Sequence, residues 1–251
     1  MLNIITPDWP APANVRAAVT TRTGGVSRAP YDCFNLATHV DDDVAAVSTN
    51  RALLAQHLSL PEQPVWLTQV HGVEVLRRTG ESVDLSKPYD ACYSNRANTV
   101  CAVLTADCLP VLFCSRDGKE IAAAHAGWRG LANGVLAATV AQFACSPSNI
   151  YAWLGPAIGP QSFEVGDEVR QSFFAHWPNC DKAMIQQCFV SQGNNRWLCD
   201  LYALARLQLH TLGITAIYGG GEDTYRDEGR FYSYRRDRNT GRMASLIWRS
   251  A

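Results

Sequence analysis

The chain has 251 residues, 47% hydrophobic and 18% charged, enough apolar material for a buried core and too much for extended disorder. A formal net charge of −1 gives no long-range attraction for nucleic acid or an anionic membrane. The one basic cluster, "YSYRRDRNTGRM", reads as a solvated face or a local anion site.

The N-terminus lacks the basic start and long apolar stretch of a signal peptide, and no segment approaches the roughly 20 apolar residues that span a bilayer. Nine cysteines, an odd number never arranged as C-x-x-C, read as reduced thiols of a cytoplasmic protein, most of them packing residues. No repeat or linker divides the chain, so a single domain over residues 1–251 is expected.

In chain order, "VRAAVTTR" is a predicted strand followed by the turn-rich "TGGVSRAPYD". "DDDVAAVSTNRALLAQHL" is a predicted helix with acids at its start. "PVWLTQVHG" and "VEVLRR" are expected as two strands joined at His71-Gly72. "TVCAVLT", "PVLFCS" and "EIAAAHAG" are short apolar runs bounded by Asp, Pro or Gly, the pattern of strands buried on both faces. "RGLANGVLAATVAQFA" reads as one helix, then "YAWLGP" as a strand, "VGDEVRQSFFAHW" as a helix and "RWLCD" as a strand. "LYALARLQLHTLG" is a helix stopped by Gly213, and "ITAIYGG", "RFYSYR" and "ASLIW" complete the strands. The mixture predicts an α/β (α+β) sandwich, a mixed β-sheet covered by helices.

Of six histidines, His57, His176 and His210 fall in helical patterns and His39 in a polar loop, where surface or capping roles are the default. His71 and His125 differ because each ends an apolar run just ahead of glycine or Ala-Gly, and Cys108 also lies just beyond a strand. The three make a His₂Cys set suited to zinc with an open fourth position. Their separations of 37 and 17 residues carry no metal signature, so a core thiol with two satisfied imidazoles stays open. A further reading makes Cys108 a nucleophile, His125 or His71 its base and Asp107 an orienter. Neighbours on a strand face opposite ways, which weakens that triad.

The blocks "TTRTGGVSRAPYDCFNLATHV", "LTQVHGVEV", "TADCLPVLF", "AAAHAGWRGLANGV", "WLGPAIGPQSFEVGDEV" and "FYSYRRDRNTGRMASLIW" resemble the bacterial YfiH family, also called the laccase-domain, polyphenol-oxidase or peptidoglycan-editing-factor family. The resemblance runs in order from Thr20 to Trp248. It implies a single-domain α/β sandwich and a catalytic zinc held by His71, Cys108 and His125. The activity it implies is phosphorolysis of adenosine, inosine and methylthioadenosine, with adenosine deamination alongside. A small-molecule nucleoside and phosphate would then be the partners, with no nucleic acid and no membrane. Arg22, ahead of Gly24-Gly25, and Arg129, after His125, are the expected anion clamps, and Asp107 an orienting or catalytic group.

Two positions depart from the family pattern. Asp223 in "GGGEDTY" stands where a cysteine is common, which weakens an oxidase role, and "YDAC" replaces Gly-Asp-Ala, a change expected to alter only a turn at Asp90. Six histidines are too few for a full multicopper set, although Cu²⁺ binds N/S sites strongly enough to enter the zinc site. The alternatives are a cysteine hydrolase or amidase acting on cell-wall precursors, and, less favoured, a polyphenol oxidase.

Overall fold

The computed structural model describes residues 2–178 and 180–250. β1 (Ile4–Ile5) and β2 (Val15–Thr20) open the chain, and α1 (Val44–Leu58) follows. Asp43 caps α1 by accepting from the Ala45 and Ala46 N–H groups, a contribution of about 1 kcal/mol. Then come β3 (Val75–Arg78), β4 (Ala91–Ser94), β5 (Val100–Thr105), β6 (Leu109–Ser115) and β7 (Ile121–Ala126). The expected helix after β7 is two helices, α2 (Trp128–Asn133) and α3 (Val135–Val140). They separate at Gly134, whose φ of 97° lies in the left-handed region glycine enters freely.

β8 (Ile150–Leu154), β9 (Glu164–Gly166), α4 (Asp167–His176), α5 (Lys182–Gln187), β10 (Phe189–Gly193) and β11 (Arg196–Cys199) follow. The chain finishes with α6 (Leu201–Thr211), β12 (Ala216–Gly219), α7 (Tyr234–Asp237) and β13 (Met243–Arg249).

A four-stranded sheet, β1-β2-β13-β5, faces a six-stranded mixed sheet, β12-β8-β6-β7-β4-β3, and β10-β11-β9 form a small third sheet. Strand alternation distributes the core. Leu112, Cys114, Ile121 and Ala123 point between the two large sheets, beside Cys101 and Val103. Val111, Phe113, Ala122 and Ala124 point the other way, onto α2, α3, α4 and α6. Val100, Ala102 and Leu104 pack with Leu54 of α1 on the outer face of the smaller sheet. The α/β sandwich thus has helices on both outsides. Phe113 is fully buried, and truncating it to alanine is a change of about 3–5 kcal/mol.

Two expected strands are absent. Residues 64–70 form no strand: their backbone makes one backbone link among the described residues, the Tyr89 N–H to the Thr68 carbonyl, and side chains take the place of a ladder. The Gln69 amide donates to the Leu104 carbonyl and accepts from the Leu104 N–H, both at 2.8 Å. "RFYSYR" is also no strand: Ser233 caps α7 by accepting from the Arg236 N–H, which turns the chain into a helical turn. All nine cysteines are free thiols, and among the described residues no helix is long and apolar enough to cross a membrane.

Candidate metal centre and its cavity

His125 shares the strand parity of Ile121 and Ala123, so β7 aims its ring between the two large sheets. Cys108 ends the crossover by which the chain leaves β5 for β6 in the other sheet. His71 comes from the unpaired stretch ahead of β3 and has a φ of 62°, a conformation few non-glycine residues adopt. One ligand atom from each of the three lies within 4.8 Å of the others, the one such group of His, Cys, Asp or Glu among the described residues. The two imidazoles meet edge to face at 4.8 Å between centroids.

The donor set and spacing fit a metal ion. Cys108 Sγ lies 3.7 Å from His71 Nε2. Tetrahedral zinc with ordinary Zn–S and Zn–N bonds separates such a pair by about 3.6 Å. Gly127 keeps the space open: a Cβ there would stand 2.8 Å from His71 Cδ2 and 2.9 Å from Cys108 Sγ.

Asp90, fully buried just before β4, holds the centre from behind. Its Oδ1 accepts from the His71 N–H at 2.9 Å and pairs with His125 Nδ1 at 2.8 Å. Its Oδ2 accepts from the Val70 and Gly72 N–H groups at 3.1 and 2.7 Å. The turn change expected at this position understates it. An aspartate before an apolar strand is a weak sequence signal, because its partners lie 18 to 35 residues away.

Charge is concentrated at the same point. Burial alone would push the Cys108 thiol up, but the His125 charge and hydrogen bonds with both histidines bring it down to about 6. Burial opposes a charged His125 as well, and the Cys108 thiolate with Asp90 carries that ring up to about 9. Asp90 is held below the usual carboxylate range against its burial, by His125 and the backbone N–H donors. Without a metal, both shifts favour the thiolate on Cys108 and the protonated ring on His125.

A cavity of about 510 Å³ opens on the cluster. Trp128, Ile158, Phe163, Leu201 and Tyr234 supply apolar wall, and Arg129, Arg235, Arg238 and Arg242 supply positive charge. Arg129 lies over Trp128 at 4.4 Å, Arg235 over Phe163 at 5.2 Å, and Arg238 and Arg242 over Tyr234 at 5.6 and 5.9 Å. His39 also lines it, held below its usual pKa by burial and by Arg242 and Arg51.

Asp107 borders the cavity at a φ of 88°, with both oxygens engaged. Thr224 donates at 2.7 Å, Ser233 at 3.0 Å and the Arg235 N–H at 2.7 Å. It anchors the segment that carries the arginines. Arg22 is not in this cavity: it donates to the Asp32 and Glu228 carbonyls, pairs with Asp32 and lines a separate cleft. The arginines that replace it come from the basic cluster near the C-terminus. Asp223 is also engaged elsewhere, accepting from the Gly159 N–H and the Ser162 hydroxyl and so stapling two loops.

The chain is similar to known proteins over almost its whole length. It is 54% identical to the purine nucleoside phosphorylase YfiH of Escherichia coli (strain K12), over 99% of both chains. It is 52% identical to a purine nucleoside phosphorylase of Pseudomonas aeruginosa, over 97% of both. A crystal structure of a Neisseria meningitidis protein matches with a TM-score of 0.90 at 45% identity, covering 99% of this chain and all of that one. YlmD from Geobacillus stearothermophilus matches with a TM-score of 0.83 at 34% identity, covering 95% of this chain and 93% of that one. With residues 16–250 matching its model, the chain belongs to the multi-copper polyphenol oxidoreductase laccase family.

Proposed function

We propose that the protein is a zinc-dependent purine nucleoside phosphorylase acting on adenosine, inosine and methylthioadenosine, with adenosine deamination at the same site. The observation that carries this reading is one cavity joining a His-Cys-His donor set to a wall of arginines, in a chain whose relatives are named purine nucleoside phosphorylases. His71, Cys108 and His125 would hold the ion, which when bound supplies a Lewis acid with an open fourth position.

The remaining work falls to this chain's own side chains. Arg238 and Arg242, with Arg129 and Arg235 nearby, place phosphate and balance its charge against the ribose. Trp128, Phe163 and Tyr234 give the flat apolar surface on which a purine stacks. Asp107, with both oxygens taken, acts by fixing the Arg235 segment and not as a proton donor. Confining both substrates in one half-enclosed space supplies the orientation that phosphorolysis requires.

One observation favours a second reading. A thiol brought down to about 6 beside an imidazolium is also the form of a cysteine nucleophile, as in a hydrolase or amidase. Incubating zinc-loaded protein with adenosine, with and without phosphate, and separating the products tests both. Adenine formed only with phosphate supports phosphorolysis, and inosine formed without it supports deamination. Activity on an amide or ester that survives chelation would favour the cysteine hydrolase. If neither purine product forms and His125→Ala behaves as wild type, the nucleoside reading fails.

A further inference from the structure

We infer that Asp90 is the positioning residue of the metal centre: it fixes the His125 ring with its proton on Nδ1 and holds His71 in its left-handed turn, so that both Nε2 atoms converge beside Cys108. The inference rests on the metal-centre reading above and adds what makes that centre form.

The Asp90 carboxylate faces four N–H donors with two oxygens and has no solvent to share them with. Three of the donors are the consecutive backbone groups of Val70, His71 and Gly72, a small nest around one anion. That nest is what a φ of 62° at His71 requires, since a left-handed non-glycine residue costs about 1–2 kcal/mol unless its surroundings hold it. The fourth donor is His125 Nδ1. An ionised carboxylate only accepts, so the ring proton sits on Nδ1 and the Nε2 lone pair is left for a metal. The Asp90 carbonyl also accepts from the His125 N–H at 2.7 Å, so one residue grips this ligand at ring and backbone.

The chemistry of Asp90→Asn follows from the donor pattern. If the new NH₂ faces Val70 and Gly72, it meets two backbone donors that cannot reverse. If it faces His71 and His125, it meets the His71 N–H, which cannot reverse, and the His125 ring can accommodate it only by carrying its proton on Nε2, which closes that nitrogen to metal. Either placement damages at least one of the two histidines without touching the thiolate.

The test compares zinc affinity of the wild-type chain and Asp90→Asn by competition with a chromophoric chelator. A loss of about 10- to 100-fold is expected in the variant, with one zinc per chain in the wild type. A measurement on the zinc-loaded wild type needs no variant: ¹⁵N spectra of the histidine rings are expected to show His125 protonated at Nδ1 and ligating through Nε2. Rescue of stability alone, by osmolyte, is not expected to restore affinity. Equal affinities in a folded Asp90→Asn, or His125 bound through Nδ1, would overturn the role of Asp90. A wild-type chain that takes up no zinc would overturn the metal-centre reading and this inference with it.

Discussion

Asp90 and Asp107 make a useful pair because both are buried carboxylates saturated with hydrogen bonds, Asp107 at the cavity wall and Asp90 behind the histidines that line it. They hold different halves of it. Asp90 binds the backbone under His71 and the ring of His125, so its partners are candidate metal ligands. Asp107 binds Thr224, Ser233 and the Arg235 backbone, so its partners belong to the arginine-bearing wall. A buried carboxylate near a site is thus defined by what it anchors, and proximity to Cys108 in sequence says little. Asp107 adjoins Cys108 in the chain and serves the opposite wall.

The largest effect is expected at Asp90. Asp90→Ala leaves three backbone N–H groups and an imidazole without their acceptor, and is expected to cost about 3–5 kcal/mol in urea unfolding together with most of the zinc affinity.

A change of pH addresses the same half of the cavity. Zinc needs Cys108 as thiolate and His125 without a proton on Nε2, and the metal-free His125 holds its charge up to about 9. Zinc affinity is therefore expected to rise about tenfold per pH unit between about 6 and about 9 as one proton is released. Below about 6 the slope steepens, because Cys108 then gives up a proton too. Calorimetric titration in buffers of different ionisation enthalpy counts those protons.

Asp107→Asn sharpens the contrast. Its NH₂ can face the Thr224 hydroxyl, which is able to accept, leaving an oxygen for the Ser233 hydroxyl and the Arg235 N–H, so the fold is expected to survive while those two bonds lose the carboxylate's charge. The KM for phosphate is expected to rise about tenfold, the equivalent of one charge-assisted contact, with zinc affinity unchanged. Gly127→Ala probes the metal half sterically. Its Cβ meets His71 and Cys108, so a loss of about 1–3 kcal/mol in stability and a weaker zinc complex are expected from melting and chelator competition. The smallest effect belongs to Arg22→Ala, whose partners lie in another cleft: kinetic constants are expected to stay within about twofold of wild type.

What could be read from sequence divides along physical lines. His71, Cys108 and His125 stood out because a polar residue at the end of an apolar run is a local pattern, but it took the resemblance to the YfiH family to make one ligand set the leading reading of them. Strands such as "TVCAVLT" and "PVLFCS" were accessible for the same reason, being buried on both faces. Residues 64–70 misled because their apolar spacing suits a strand, while the Gln69 amide on Leu104 and the Asp90 carboxylate on Val70 take the place of ladder partners. Asp90 itself was hidden because its role exists only when Val70–Gly72 and His125 meet in space. Arg22 was chosen for its neighbouring glycines, a local cue. Arg235, Arg238 and Arg242 reach the cavity only through the crossover of the sheets and the Asp107 anchor.

Under the proposed function, phosphorolysis of a purine nucleoside requires a metal held by His71, Cys108 and His125. Titrating zinc into chelator-stripped protein with adenosine and phosphate present tests it most directly. Adenine formation is expected to rise from near zero and level off at one zinc per chain. Full activity in the stripped protein, or adenine formed equally without phosphate, would contradict the account.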